Sequence, residues 1–299
     1  MPAPDPTTAV PRPWPEPWVA EPWVSVEGAG GLPLAVYRFG DGPPVLALHA
    51  TGLCAACLEP MAQQLQPTAS LVAFDARAHG RSGRPADGDL RWERAAEDTL
   101  AVLRACGLEA PAGFGHSFGG AVLLLAEAAR PGTFRHLVLF EPVVPALAEP
   151  VPGGVPDNRL SLGARRRRRQ FGSREEALAN FGAKPPFSGV DPLALARYVD
   201  NGFEVTPSGG LALRCRPEDE AEVYALGFAH RAWQLLPAIR CPVTLVCGEH
   251  TDAFGPAALE AMAARLPEAE VVVLPGLGHF GPLEDPRAVA GVLLRALGS

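Results

Sequence analysis

The chain has 299 residues, 47% of them hydrophobic, which is enough for one large domain or one domain with a sizeable insertion. Its 33 prolines and 32 glycines stay below the share typical of low-complexity chains. A net charge of −7 argues against a general phosphate-binding surface, so nucleic acid is not expected as a partner. No apolar run approaches the roughly 18 residues of a membrane span, and the first residues lack the pattern of a signal peptide. We therefore expect a cytoplasmic protein without membrane contact.

The first 23 residues form a segment of their own, rich in Pro and Trp, which predicts an extended arm over residues 1–23. From residue 24 onward, short apolar runs alternate with stretches of helical periodicity, which is typical of a mostly parallel sheet covered by helices on both faces. The predicted strands are 24–26, 34–39, 45–49, 71–74, 112–115, 136–140, 243–247 and 271–274, and the predicted helices are 58–65, 92–106, 121–129, 256–266 and 287–297.

This alternation stops between residues 142 and 237. The segment lacks apolar strand runs but carries helix starts, with a capping box at residues 173–176 and an N-cap at Asp191 before Pro192. We predict that residues 142–237 form a helical cap over the carboxyl edge of the sheet, where open parallel sheets bind ligands. The core would then comprise residues 24–141 and 238–299.

The sequence Gly115-His116-Ser117-Phe118-Gly119 lies between a predicted strand and a predicted helix. This G-x-S-x-G pattern needs small residues on both sides of the serine, because the strand-to-helix turn is sharp and strained. In that context it predicts that Ser117 is exposed at the tip of the turn as a nucleophile.

A serine hydroxyl needs a base, and the base needs a carboxylate that orients it. Asp252 follows the strand 243–247 and His279 follows the strand 271–274, so the order is Ser, Asp, His. We predict a triad of Ser117, His279 and Asp252. Glu141, at the end of the strand after the nucleophile helix, is the alternative acid, and Asp252 is favoured over it.

These motifs resemble the α/β-hydrolase superfamily in its capped, serine-esterase-like branch, over residues from about 24 to 298. His49-Ala50-Thr51-Gly52 resembles the family's oxyanion loop, and the segment 75–82 resembles its Asp-x-Arg-Gly-His-Gly-x-Ser motif, with Ala50 and Ala78 in place of the usual glycines. The resemblance implies an oxyanion hole made by the backbone N–H groups of Thr51 and Phe118. It also implies catalysis without cofactor or metal.

Several other residues are predicted to have structural rather than catalytic roles. We expect His49 and His79 to tie two loops together by hydrogen bonds, Asp75 to anchor a loop, and the pair Cys54 and Cys57 to be buried thiols rather than a redox or metal site. The run of five arginines at residues 165–169 is interpreted as a solvated helix end. One of them facing a substrate carboxylate or phosphate is the alternative.

The expected function is hydrolysis of an ester, lactone or related acyl bond in a small, largely apolar molecule through an acyl-enzyme. A C–C bond hydrolase or an acyltransferase would use the same triad and remains an alternative. A non-catalytic ligand-binding or sensing protein on the same scaffold is a further alternative, since fold does not determine function. A small-molecule substrate is the expected partner, and homo-oligomerisation is left open.

Overall fold

Eight strands form one central sheet in the computed structural model, which describes residues 14–298. Their spatial order is β1-β2-β4-β3-β5-β6-β10-β11. The two pairings that involve β2 are antiparallel, and the others are parallel. These eight strands, and three shorter ones (β7, β8 and β9) that lie outside the central sheet, have the following bounds: β1 (Val24–Glu27), β2 (Pro33–Phe39), β3 (Pro44–Leu48), β4 (Ser70–Phe74), β5 (Ala112–His116), β6 (His136–Phe140), β7 (Gln170–Phe171), β8 (Phe203–Val205), β9 (Leu211–Leu213), β10 (Val243–Gly248) and β11 (Ala269–Leu274).

Helices cover both faces of this sheet. Alternate residues of β3 point to opposite cores: Val45 and Ala47 belong to one, Leu46 and Leu48 to the other. The first core includes α1 and α11, and the second includes α2, α3 and α9. The helices are α1 (Glu59–Leu65), α2 (Trp92–Ala105), α3 (Phe118–Ala129), α4 (Arg159–Arg165), α5 (Arg174–Gly182), α6 (Pro192–Asn201), α7 (Pro217–Leu226), α8 (Ala232–Leu235), α9 (Pro256–Ala263), α10 (Gly281–Glu284) and α11 (Pro286–Gly298). The predicted fold class, an α/β-hydrolase fold with a mostly parallel sheet, is confirmed.

Residues 142–237, called the insertion below, lie between β6 and β10 and carry α4 to α8. The predicted helix starts are present: Ser173 accepts a hydrogen bond from the N–H of Glu176, and Asp191 accepts from the N–H groups of Leu193 and Ala194. The segment also contains strands that the sequence analysis did not predict, because β7, β9 and β8 pair into a small antiparallel sheet. Strands of two or three residues are too short to show the alternation that identifies a strand in sequence.

The described part of the N-terminal arm lies along the insertion and the core; residues 1–13 of the predicted arm fall outside the described residues. The Trp18 N–H donates to Asp200 and the Ala20 N–H donates to Asn201, both at the end of α6. The Trp18 ring lies 4.1 Å from the Arg197 guanidinium and 6.4 Å from the ring of Phe39 in β2. The arm therefore connects α6 to the sheet.

Three buried side chains hold the loops at the carboxyl edge of the sheet. His49 Nε2 accepts the N–H of Ala76, and His79 Nε2 accepts the N–H of Gly52, so each loop holds the other. Asp75 accepts hydrogen bonds from the Tyr37 hydroxyl and the N–H of Ala55, which precede it in the chain, and from the N–H of Arg81, which follows it. The predicted supporting parts of His49, His79 and Asp75 are confirmed.

Within residues 14–298, no helix combines the length and the hydropathy needed to cross a lipid bilayer.

Replacing Trp18 with Ala should lower the free energy of unfolding by about 1–3 kcal/mol, because its ring packs between α6 and β2. Urea denaturation measures this change. Trp23→Ala is the matched control, since the Trp23 side chain is half exposed, and its effect should stay within about 0.5 kcal/mol. Equal losses in the two variants would contradict a connecting role for the arm.

Burial lowers the pKa of both His49 and His79 to about 4. Both imidazoles should therefore remain neutral at pH 5, where an unperturbed histidine is charged. Unfolding frees them to bind protons, so their contribution to stability is complete above about pH 6.5 and is lost as the pH falls towards 4, by up to roughly 3 kcal/mol each. NMR titration of the ring resonances measures this directly. A midpoint above pH 6 for either ring would show the prediction to be wrong.

Candidate active site

Ser117 lies at a sharp turn between β5 and α3. Its φ of 56° and ψ of −114° are strained for a non-glycine residue, and its N–H donates to the carbonyl oxygen of Phe140 at the end of β6. The turn requires glycine on both sides. A methyl group at Gly115 would lie 2.5 Å from the Cα of Gly120, and one at Gly119 would lie 2.2 Å from the carbonyl oxygen of Leu48. The predicted strand–turn–helix context of the motif is present.

Ser117 Oγ lies 3.1 Å from Nε2 of His279, and Nδ1 of His279 lies 2.6 Å from a carboxylate oxygen of Glu141. Because a carboxylate only accepts hydrogen bonds, Nδ1 must carry the proton and Nε2 must face the serine hydroxyl as an acceptor. The structure therefore brings together a hydroxyl, a base in the correct tautomer and an orienting acid. His279 is partly exposed and Glu141 is fully buried.

The acid beside His279 is Glu141, so the prediction that Asp252 orients the imidazole is wrong. Asp252 is exposed in the loop between β10 and α9. Glu141 follows β6, the neighbour of the nucleophile strand β5, and its own N–H donates to the carbonyl oxygen of Val246 in β10. Its φ of 44° is unusual for a non-glycine residue and turns it out of the strand direction.

The end of β10 and the loop after it supply hydrogen-bond donors in place of the acid. The N–H of Gly248 donates to one oxygen of Glu141 at 3.0 Å, and the hydroxyl of Thr251 donates to the other at 2.6 Å. These bonds, with that from His279, satisfy a carboxylate that is out of contact with water. Sequence reasoning missed Thr251, although a hydroxyl residue next to a candidate acid was a visible signal.

The loop after β3 approaches the beginning of α3 closely. Because Gly119 has no side chain, its Cα lies against the carbonyl groups of Leu48 and His49, just before Thr51. Phe118 is the first residue of α3, where backbone N–H groups have no acceptor within the helix. The first turn of α3 therefore lies against the end of β3, just before Thr51 in the chain. The oxyanion hole at Thr51 and Phe118 stays a prediction.

The two alanines that replace the family's glycines behave differently. Among residues 14–298, positive φ values outside glycine occur at Ala78, Ala110, Ser117 and Glu141, so Ala78 adopts the glycine-like conformation with φ 61°. Ala50 is not in this set, and the following turn is made instead by Gly52, with φ 77°. The oxyanion loop therefore keeps its turn without a glycine at position 50.

Aromatic rings surround the histidine. The Phe280 ring lies 6.0 Å from the ring of His279 and 5.2 Å from that of Phe187, which belongs to the insertion. The His116 ring lies 5.3 Å from the ring of His279, and its Nε2 donates to the carbonyl oxygen of His279 at 2.9 Å. Burial lowers the pKa of His116 well below its usual range, so it remains a neutral donor.

The remaining candidate residues are placed as follows. Cys54 and Cys57 are buried thiols with their sulfur atoms 3.7 Å apart. Four residues of the arginine run 165–169 are exposed, whereas Arg167 turns inward. Within the described part of the chain, no group of three or more His, Cys, Asp or Glu side chains is arranged to hold a metal ion.

Comparison with known proteins agrees with this architecture. A model of the alpha/beta hydrolase family matches residues 45–292. A 2-(acetamidomethylene)succinate hydrolase of Mesorhizobium japonicum is 26% identical over 254 residues, covering 84% of this chain and 86% of that enzyme. A 2-hydroxymuconate semialdehyde hydrolase of Pseudomonas putida is 30% identical over 129 residues, covering 42% of this chain and 45% of that enzyme. A crystal structure of E-2-(acetamidomethylene)succinate hydrolase superposes with a TM-score of 0.79 at 21% identity, covering 92% of this chain and 98% of that one. The chain belongs to the alpha/beta hydrolase family.

Proposed function

We propose that this protein is a serine hydrolase that cleaves an ester, lactone or related acyl bond of a small molecule through an acyl-enzyme. The observation that carries the proposal is the chain of contacts from Ser117 Oγ to His279 Nε2 and from His279 Nδ1 to Glu141. Such a chain makes a serine hydroxyl nucleophilic at neutral pH. The relatives' names support the class, since both are called hydrolases.

In the first half of the reaction, Ser117 Oγ attacks the acyl carbon while Nε2 of His279 takes its proton. Glu141 holds the proton on Nδ1 and stabilises the imidazolium that forms. The negative charge on the substrate oxygen is stabilised by the backbone N–H groups of Phe118 and Thr51, and one such donor is typically worth about 2.7–4 kcal/mol in the transition state. His279 then gives its proton to the leaving group.

In the second half, a water molecule attacks the acyl-enzyme, with His279 as base, and Ser117 is released. The rings of Phe280 and Phe187 near His279 favour an apolar substituent on that side of the substrate.

Hydrolysis of an amide is a second candidate, because it proceeds through the same acyl-enzyme. It is favoured by the relative at 26% identity, whose name gives an acetamido compound as its substrate.

A fluorophosphonate probe should label the wild-type protein at Ser117, since the probe requires an activated serine. Ser117→Ala should abolish labelling and lower turnover of nitrophenyl esters by at least about 10³-fold. Intact-mass and peptide mass spectrometry locate the label. A wild-type protein that is neither labelled nor active on ester or amide panels would overturn the proposal and favour a ligand-binding protein.

Glu141→Gln should lower kcat by about 10³- to 10⁴-fold, because an amide at this position no longer selects the reactive tautomer of His279. Thermal unfolding of the same sample shows that the variant is folded.

Asp252→Asn is the matched control and should keep activity within about threefold of wild type, because Asp252 is exposed and Glu141 occupies the position at His279. A larger loss in Asp252→Asn than in Glu141→Gln would restore Asp252 as the orienting acid.

A further inference from the structure

Arg167 differs from its neighbours in the arginine run because its side chain is only 19% exposed. One terminal nitrogen of its guanidinium donates to Glu220 in the first turn of α7, and the other donates to the hydroxyl of Tyr198 in α6 at 2.6 Å. The Phe181 ring lies 5.5 Å below the guanidinium. Arg167 is therefore held in one position by α6, by α7 and by an aromatic ring.

This ion pair lies directly on the oxyanion loop. A methyl group placed at Gly52 would be 2.6 Å from Oε1 of Glu220 and 3.2 Å from Nη1 of Arg167. Gly52 follows Thr51, whose N–H is one of the two proposed oxyanion donors, and the N–H of Gly52 itself is bonded to His79. The insertion thus places a carboxylate against Gly52, the residue after the proposed oxyanion donor Thr51.

A carboxylate in this position opposes catalysis if its charge is not cancelled. Two like charges a few ångströms apart repel strongly where water is excluded, and Glu220 is only 4% exposed. Asp219, the buried carboxylate next to Glu220, is paired with Arg84. The other titratable groups around the pair are Tyr198, Tyr224, Cys215 and, on the core side, His79. Burial raises the pKa of both tyrosines and of the thiol and lowers that of His79, so all four are neutral near pH 7. Arg167 is the cation in contact with Glu220.

We propose that Arg167 is a positioning residue of the site: it holds Glu220 on the oxyanion loop and cancels its charge, so that the loop stabilises an oxyanion. The inference rests on the proposed function and adds to it a residue from the insertion. In this role Arg167 points inward to pair with Glu220, and not to bind a carboxylate or phosphate of the substrate.

The pH dependence of the reaction rate distinguishes this role from a purely structural one, because the rate should follow the protonation of Glu220. Burial raises the pKa of the Glu220 carboxyl, and Arg167 opposes that rise. Without Arg167, Glu220 would take up a proton at a higher pH than in the wild type. The damage caused by its charge should then disappear as the pH falls and Glu220 becomes neutral.

The test compares Arg167→Met with the double variant Arg167→Met/Glu220→Gln, using the rate of Ser117 labelling by a fluorophosphonate and kcat on a nitrophenyl ester. At pH 8, Arg167→Met should be about 10- to 100-fold slower than wild type in both. The rate of Arg167→Met divided by that of wild type should rise towards one as the pH is lowered from 8 to 5. Taking this ratio removes the dependence on His279 that the two proteins share. The double variant, with no charge at either position, should recover to within about threefold of wild type at every pH.

Arg168→Met is the matched control, because Arg168 is the next residue, is half exposed and pairs with the exposed Glu176. It should change neither rate by more than about twofold. A double variant as slow as Arg167→Met, or a ratio that does not change with pH, would overturn the inference while leaving the proposed function intact.

If Arg167→Met does not fold, the double variant decides alone: recovery to within threefold supports the inference, and a loss of tenfold or more overturns it. A wild-type protein without labelled Ser117 overturns the proposed function and this inference together.

Discussion

The contact between the backbone of Gly119 and the carbonyl groups of Leu48 and His49 determines the geometry of the whole site. It is possible only because no side chain lies between α3 and the end of β3. This close approach fixes the first turn of α3 next to the oxyanion loop and requires the strained backbone of Ser117. Ser117, the N–H of Phe118 and the loop that carries Thr51 are therefore placed by one steric condition.

Glu141, like Ser117, has a positive φ, and its position follows from strand order. Strand β6 lies between β5 and β10, so a residue that leaves the end of β6 is within reach of both the Ser117 turn and the loop after β10. Gly248 at the end of β10 and Thr251 in that loop donate to the carboxylate, and His279 completes its hydrogen bonds. Because Glu141 is fully buried, these donors replace the hydrogen bonds that water would otherwise supply.

The insertion packs its apolar side chains into both hydrophobic cores, and ion pairs add to this contact. Arg197 of α6 pairs with Glu59 of α1, Asp219 of α7 pairs with Arg84, and the N-terminal arm lies over α6 through Trp18. Where α7 reaches the loop after β3, Glu220 and Arg167 lie against Gly52 as an ion pair. The proposed role of Arg167 gives this pairing a reason, because an unpaired carboxylate beside the proposed oxyanion loop would oppose the reaction.

Much of this organisation follows from the sequence alone. Buried parallel strands are visible as apolar runs, because both of their faces are covered, and the elbow is visible because its steric condition admits only small residues at 115 and 119. The short strands of the insertion could not be found in this way, since two or three residues carry no periodicity. The inward direction of Arg167 was equally hidden, because five identical neighbours differ only in what the fold places beside them.

The choice between Asp252 and Glu141 shows the limit most clearly. Both carboxylates follow strands whose ends meet at the same edge of the sheet, so local pattern and spacing favour neither on physical grounds. The sequence determined the fold class and the candidate nucleophile and base, because each is specified by a local motif or a strand-end position. Only the tertiary structure showed which carboxylate lies beside His279, since that depends on which one is turned inward, buried and supplied with donors by Gly248 at the end of β10 and Thr251 in the loop after it.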